Sequence, residues 1–271
     1  MMGNLYNVYM QYVKNYYRSK SFYLMLTLIL VISILMTYFS LKYVNDLPAF
    51  LGRNVSFHLK KILFYFIWSF VLINIPVFSS VFFGSPAISS EIENKTAYYI
   101  FPLPINRYKL YIGKYLSAFT VTFIIVLIYS SFEVIILHYL FGSIPLSFYY
   151  SIGLLAIFIF TILSITFMIS SIFNKNTYAY ITVFIIYYIV FEAGSLIINL
   201  LYKITPIYLL NEAADIVEKV YLNINTSSFV TSPSLAPATN TEIYTSVLIM
   251  IIYMIISFVA GIIIFERKEV S

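Results

Sequence analysis

The densest run of chemistry-bearing side chains is Ile88-Ser89-Ser90-Glu91-Ile92-Glu93-Asn94-Lys95-Thr96. It leads through Tyr98-Tyr99-Ile100-Phe101-Pro102-Leu103-Pro104-Ile105-Asn106-Arg107 to Gly113-Lys114. Two closely spaced carboxylates on a short helix can hold ion pairs with the basic groups of a soluble partner or with lipid headgroups. Ile88 and Ile92, four residues apart, share one face of such a helix. A charged helix of this kind can carry force from a partner into the apolar segments on either side of it. Enzymatic chemistry finds less support. Gly113-Lys114 has no glycine five positions earlier, and Tyr115 stands where a phosphate loop needs Ser or Thr for Mg²⁺. His58 and His138 are the only histidines, and no H-E-x-x-H or G-x-S-x-G pattern exists. Cysteine is absent, which removes disulfides, thiolate metal sites and thiol catalysis. No catalytic or metal-ligating set is expected.

Two further carboxylates, Glu133 and Glu192, fall inside long apolar runs. Glu133 lies 19 residues beyond Lys114, about 28 Å along a helix, with His138 a turn further on. Glu192 lies 14 residues into its own run, about 21 Å along. An ionised carboxylate at hydrocarbon depth costs several kcal/mol unless it meets water or a partner. Two readings stand for each: a polar spot on a translocation path, or a hydrogen-bonded residue that joins helices. For Glu133, snorkelling to the boundary is a third.

The elements that must position these groups follow from composition. Of 271 residues, 61% are apolar and only 10% charged, against roughly 45–50% and about 25% in soluble domains. Such a chain cannot hide its apolar surface in a globule, so it reads as an all-α polytopic membrane protein. Six runs are long enough to span the hydrocarbon core, near 22–41, 62–83, 115–141, 149–173, 178–201 and 243–265. None alternates as a membrane barrel strand would. The 27 Tyr and 25 Phe suit lipid-facing packing and interfacial belts. Residues 1–20 read as an amphipathic interface helix, with Leu5, Tyr9, Tyr12 and Tyr16 on one face and Asn7, Gln11, Lys14 and Arg18 on the other. The whole chain, 1–271, is expected to be one transmembrane domain.

With the N-terminus inside, cytoplasmic segments hold ten Lys/Arg and outer loops six, which sets both termini in the cytoplasm of a multi-pass plasma-membrane protein. The net charge of +5 then belongs to those loops and calls for no nucleic acid. The inner loop, 84–114, carries the charged run described above. The outer loop, 202–242, opens on a segment where Ile207, Leu210, Ala214 and Val217 form one helical face beside Glu212, Asp215 and Glu218. That helix either dips into the outer leaflet or caps the bundle. Sequons start at Asn54 and Asn225 outside and at Asn94 inside.

At the inner loop the sequence resembles the permease subunits of the ABC-2 class of ABC transporters. That loop typically reads as an acidic pair, Gly-Thr, an apolar stretch ending Pro-(Ile/Val)-Ser-Arg, and a closing Lys. Here Glu91 and Glu93 match the acidic pair, Thr96 the Thr, Pro104 and Arg107 the Pro and Arg, and Lys114 the Lys. Lys95 replaces the usual Gly and Asn106 the usual Ser. The close match covers about 30 residues, and the layout agrees along the whole chain.

The resemblance implies a half-transporter that pairs with a second permease copy or a sister subunit and seats on ABC ATPase subunits. ATP and Mg²⁺ would be held by that ATPase and no cofactor by this chain. Glu91 and Glu93 would meet basic groups of the ATPase, Ile88 and Ile92 would enter its cleft, and membrane lipid would surround the spans. The expected function is the permease subunit of an ATP-driven exporter. The competing expectation is a stand-alone secondary transporter or channel, for which inverted repeats of broken spans would be the sign.

Overall fold

The computed structural model describes residues 2–44, 57–100, 106–142, 144–222 and 238–268. Pro104 and the sequons at Asn54 and Asn225 lie outside them. The described chain is helical, and six of its helices are long and apolar enough to cross a membrane.

The first helix, α1 (Met2–Tyr17), breaks at Arg18–Ser19, where the Ser19 hydroxyl accepts the amide of Phe22 at 3.1 Å and starts α2 (Lys20–Tyr43), the first span. The second span is α3 (Phe57–Gly84), which runs through Pro76 without ending. Two short helices follow, α4 (Pro86–Glu93) and α5 (Ala97–Ile100). Pro86 suits the first turn of α4, because its missing N–H would have no partner there. The third span, α6 (Arg107–Phe141), closes on Gly142 in the left-handed region, and the fourth is α7 (Ser147–Ile172). The sixth, α12 (Asn240–Arg267), opens with a reciprocal Thr239–Glu242 capping box.

The fifth span is not one regular helix. It runs as α8 (Asn176–Phe184), a π-helical stretch Ile185–Ala193, and α9 (Gly194–Tyr202). The sequence run 178–201 carries no proline and predicts an uninterrupted α-helix. The wider turns rotate Glu192 and Phe191 away from the positions an α-helix would give them. Two short helices, α10 (Leu210–Ala214) and α11 (Ile216–Leu222), then turn back into the bundle.

Spans two and four form the centre, with 61% of their most apolar stretch buried by protein, whereas span six has 17% and spans one and five 22%. The peripheral spans therefore present most of their surface outward, where lipid or another protein covers it. Span six packs along α7, and α1 lies along the start of α6. Glycines permit two of these approaches. A Cβ on Gly113 would stand 2.6 Å from the Val8 side chain, and one on Gly261 would stand 3.2 Å from the Met168 Cα of α7 and 2.1 Å from the Tyr111 hydroxyl of α6. Contacts of α1 with α6, and of the α12 terminus with the α6 and α7 ends, place both described ends of the chain beside α4. That is called the near end; α10 and α11 lie at the far end.

Candidate functional site

Three joints bolt α4 to the spans. Its N-cap, Ser85, makes no side-chain cap, so the orphan amides of the first turn need another acceptor. Ser170 of α7 supplies it: its hydroxyl accepts the amides of Ile88 and Ser89, each at 3.1 Å, and donates to the Ser85 carbonyl at 2.6 Å. The second joint is an ion pair between Lys114 of α6 and Glu91. Lys114 is fully buried, donates to the Ala87 carbonyl at 2.7 Å and lies 4.8 Å from the centre of the Tyr12 ring. The Tyr12 hydroxyl donates to Glu91 at 2.8 Å, which brings α1 into the same joint. Burial first, and the Glu91 charge second, push this tyrosine far above its ordinary titration range. The third joint is Glu93, whose carboxylate accepts the Asn176 amide at 2.8 Å and so caps the start of the fifth span.

This packing redistributes the roles expected from spacing. Ile88 is 1% exposed and sits in the chain's own core, and Ile92 packs against that core. Glu91 is spent on Lys114 and Tyr12. The outward surface is the tip instead: Glu93, Asn94, Lys95 and Thr96 are exposed, with Tyr98 at 47% and Tyr99 at 82%. Lys95 takes a positive φ of 59°, the conformation for which the family's usual glycine is suited, and Thr96 closes the turn by donating to the Glu91 carbonyl at 3.2 Å. A small pocket of about 220 Å³ opens between α1 and α4, lined by Tyr12, Asn15, Tyr16, Phe82, Ser90 and Glu91 among others.

Arg107 turns toward the end of the last span, where it donates to the carbonyls of Glu266 and Lys268 at 2.9 Å each. Lys268 in turn donates to the final carbonyls of α7, those of Ser171, Ile172 and Phe173, at 2.6, 3.1 and 3.0 Å. The starts and ends of spans three, four and six are thus tied together at the near end. Nothing local distinguishes Ser170, Asn176 and Lys268 from other Ser, Asn and Lys residues; periodicity places Tyr12 on one face of α1, but its partner Glu91 does not follow from that spacing.

The two intramembrane carboxylates stand apart from this site and from each other. Glu133 does not reach the boundary: it is fully buried beside the Tyr221 hydroxyl, with Tyr65 and Tyr129 around it. Glu192, in the π-helical stretch, faces Asn211 and Glu212 of α10. Between spans one, two and five runs an apolar furrow of about 420 Å³ past Met25, Ile29, Phe70, Phe78 and Tyr188. One polar pair interrupts it, the Tyr188 hydroxyl donating to Asn74 at 3.1 Å.

Six helices able to cross a membrane, with a helical arm joined to three of them, make up the described architecture. Among curated proteins, none matches the sequence at a significant level. The family model described as ABC-2 family transporter protein matches residues 6–270, nearly the whole chain, and the protein belongs to that family of ABC transporter permeases.

Proposed function

We propose that this chain is the permease half of an ATP-driven exporter, with the near end in the cytoplasm and the α1–α4 face seating a separate ABC ATPase. The observation that carries the reading is the attachment of α4. An arm tied to α1 and to spans three, four and five cannot be displaced without moving those helices. The seat is the exposed tip from Glu93 to Tyr99 rather than the face of Ile88 and Ile92. Two adjacent exposed tyrosines on a short arm suit a protein partner, since Tyr is enriched among interface anchors. Closure of the ATPase pair on ATP and Mg²⁺, both bound by the partner, pulls the arm and tilts the spans it holds.

A second copy or a sister permease completes the unit and covers the outward faces of the peripheral spans. The furrow between spans one, two and five then lies on the substrate side, apolar with a single polar pair at Asn74 and Tyr188, which suits a lipophilic or amphipathic cargo. Isolation from the native membrane in mild detergent, followed by mass spectrometry, tests the reading. A soluble companion in near-equal amount carrying G-x-x-x-x-G-K-[ST] is the expected result. A chain that purifies alone and stable overturns it.

A further inference from the structure

The pocket between α1 and α4 lies at the level where two spans end. Ser19, at the start of the first span, and Phe82, in the last turn of the second, share its wall with Asn15 of α1 and with Ser90 and Glu91 of α4. Exposed Tyr17 and Tyr23 flank that level, as residues of a headgroup belt do. The hydrogen-bonding capacity left in the pocket is of one kind. Four hydroxyl protons are already spent within the protein: Tyr12 on Glu91 at 2.8 Å, Tyr16 on the Phe83 carbonyl at 2.8 Å, Ser19 on the Tyr16 carbonyl at 2.7 Å, and Ser90 on the Pro86 carbonyl. Their oxygens can still accept. Glu91, as a carboxylate, can only accept. Lys114 and Tyr12 use part of its capacity, but its side chain keeps 12% exposure and lines the pocket, whereas Lys114 is 1% exposed and does not. Around the mouth the charge has the opposite sign. Arg18 and Lys20 flank Ser19 in the turn between α1 and α2, Lys14 adjoins Asn15, and all three are exposed without an ion pair among the described residues. No Asp or Glu precedes Asp46 in the sequence.

We propose that this pocket seats the headgroup of an ethanolamine phospholipid, its primary ammonium inside on Glu91 and the spent hydroxyls, its phosphate at the mouth on Arg18 and Lys20. A primary ammonium brings three donors and no acceptor, the complement of an acceptor-lined pocket. On a carboxylate its bonds are charge-assisted and stronger than those between neutral groups. A choline headgroup has no N–H to give, so it leaves the acceptors unmet and matches only the phosphate half. A glycerol headgroup donates through hydroxyls but brings no positive charge to Glu91. The level of the pocket selects a lipid over a free amine, and Phe82, Pro86 and Ala87 give it an apolar side along which the lipid's glycerol and first methylenes run. A seated headgroup bridges the α1–α2 turn to α4 and so braces the arm against the first span. That consequence rests on the permease reading; the binding does not.

Lipid retention by the full chain tests the site. The protein is placed in nanodiscs of phosphatidylethanolamine, phosphatidylcholine and phosphatidylglycerol in equal parts, released, and its retained lipids are counted by native mass spectrometry. One phosphatidylethanolamine per chain is expected, enriched about tenfold over either other lipid. Ser90→Phe fills the pocket and should return the retained lipids to the composition of the disc. Arg18→Gln with Lys20→Gln, both at exposed positions, should weaken that retention about tenfold and leave thermal unfolding unchanged. If Ser90→Phe does not fold, Asn15→Lys at the exposed rim supplies a protein ammonium and must abolish the enrichment instead. No preference for phosphatidylethanolamine over phosphatidylcholine, a preference for phosphatidylglycerol, or an enrichment that survives the pocket variant or the loss of both cations overturns the proposal. So does protection against thermal unfolding by soluble phosphoethanolamine in discs of phosphatidylcholine alone, which would make the site one for a free amine. Neither ATP nor a partner enters the measurement. Its failure leaves the permease reading untouched, and a chain that retains the lipid but captures no ATPase refutes that reading alone.

Discussion

Lys114 of the third span reaches back to pair with Glu91 of α4, and the two meet under the Tyr12 ring where α1 crosses them. A fully buried ammonium needs such a counter-charge, because the desolvation of either ion alone is not recovered. Lys114→Met is therefore expected to cost about 3–5 kcal/mol by stranding Glu91. The double change Lys114→Met with Glu91→Leu should restore most of that, since it replaces both charges with apolar groups. Thermal unfolding in nanodiscs distinguishes the two, and a double variant as unstable as the single one would count against the pair.

Ser170 serves α4 from a different helix, so its loss should loosen the arm without disturbing the bundle. Ser170→Ala leaves the amides of Ile88 and Ser89 without an acceptor, a loss of about 1–2 kcal/mol. Hydrogen exchange at those two amides should accelerate while the amides of α7 stay protected. Equal acceleration in both helices would mean that the hydroxyl stabilises α7 itself.

Tyr98 and Tyr99 point out of the protein, so Tyr98→Ala with Tyr99→Ala should leave thermal stability within about 0.5 kcal/mol of the parent. Binding of the ATPase should weaken by about 2 kcal/mol or more, roughly 30-fold. A double variant that retains full ATPase in pull-down from membranes would move the seat elsewhere.

The approach of α1 to α6 depends on the missing side chain at Gly113, 2.6 Å from Val8 for any added Cβ. Gly113→Ala is expected to destabilise by about 1–3 kcal/mol through overpacking. Adding Val8→Ala should recover part of this, a coupling that a double-mutant cycle on unfolding midpoints measures. Additive effects would show that the two residues do not meet.

Lys268 predicts a pH effect at the near end. Burial lowers it to about 8 from an ordinary 10.5, so between those values the unfolded chain holds a proton that the folded one has released. Unfolding then takes up a proton, and stability from this group rises with pH across that window. The melting temperature of the parent should climb relative to Lys268→Met between about pH 8 and about pH 10.5. Parallel curves for the two proteins would remove the residue from the account.

The six spans, the amphipathic first helix and the charged inner segment were legible in the sequence because each is a local property. A run of apolar residues longer than the hydrocarbon core, a repeat of Tyr and Lys on opposite faces, and the order Glu91, Glu93, Thr96, Arg107, Lys114 need no knowledge of neighbours. What each side chain touches is not local. Periodicity puts Ile88 and Ile92 on one face of α4, but only the position of α7 and its Ser170 decides that this face turns inward and leaves Tyr98 and Tyr99 to face out. The same limit applies to Glu133. Its depth follows from counting, while its burial beside Tyr221 depends on α11 folding back against α3 and α7. The π-helical turns of the fifth span are likewise set by packing, since the run from Ile185 to Ala193 contains nothing that forbids an α-helix. Membrane insertion is dictated by composition, residue by residue. The direction in which each polar group points is settled only when several helices compete to satisfy it.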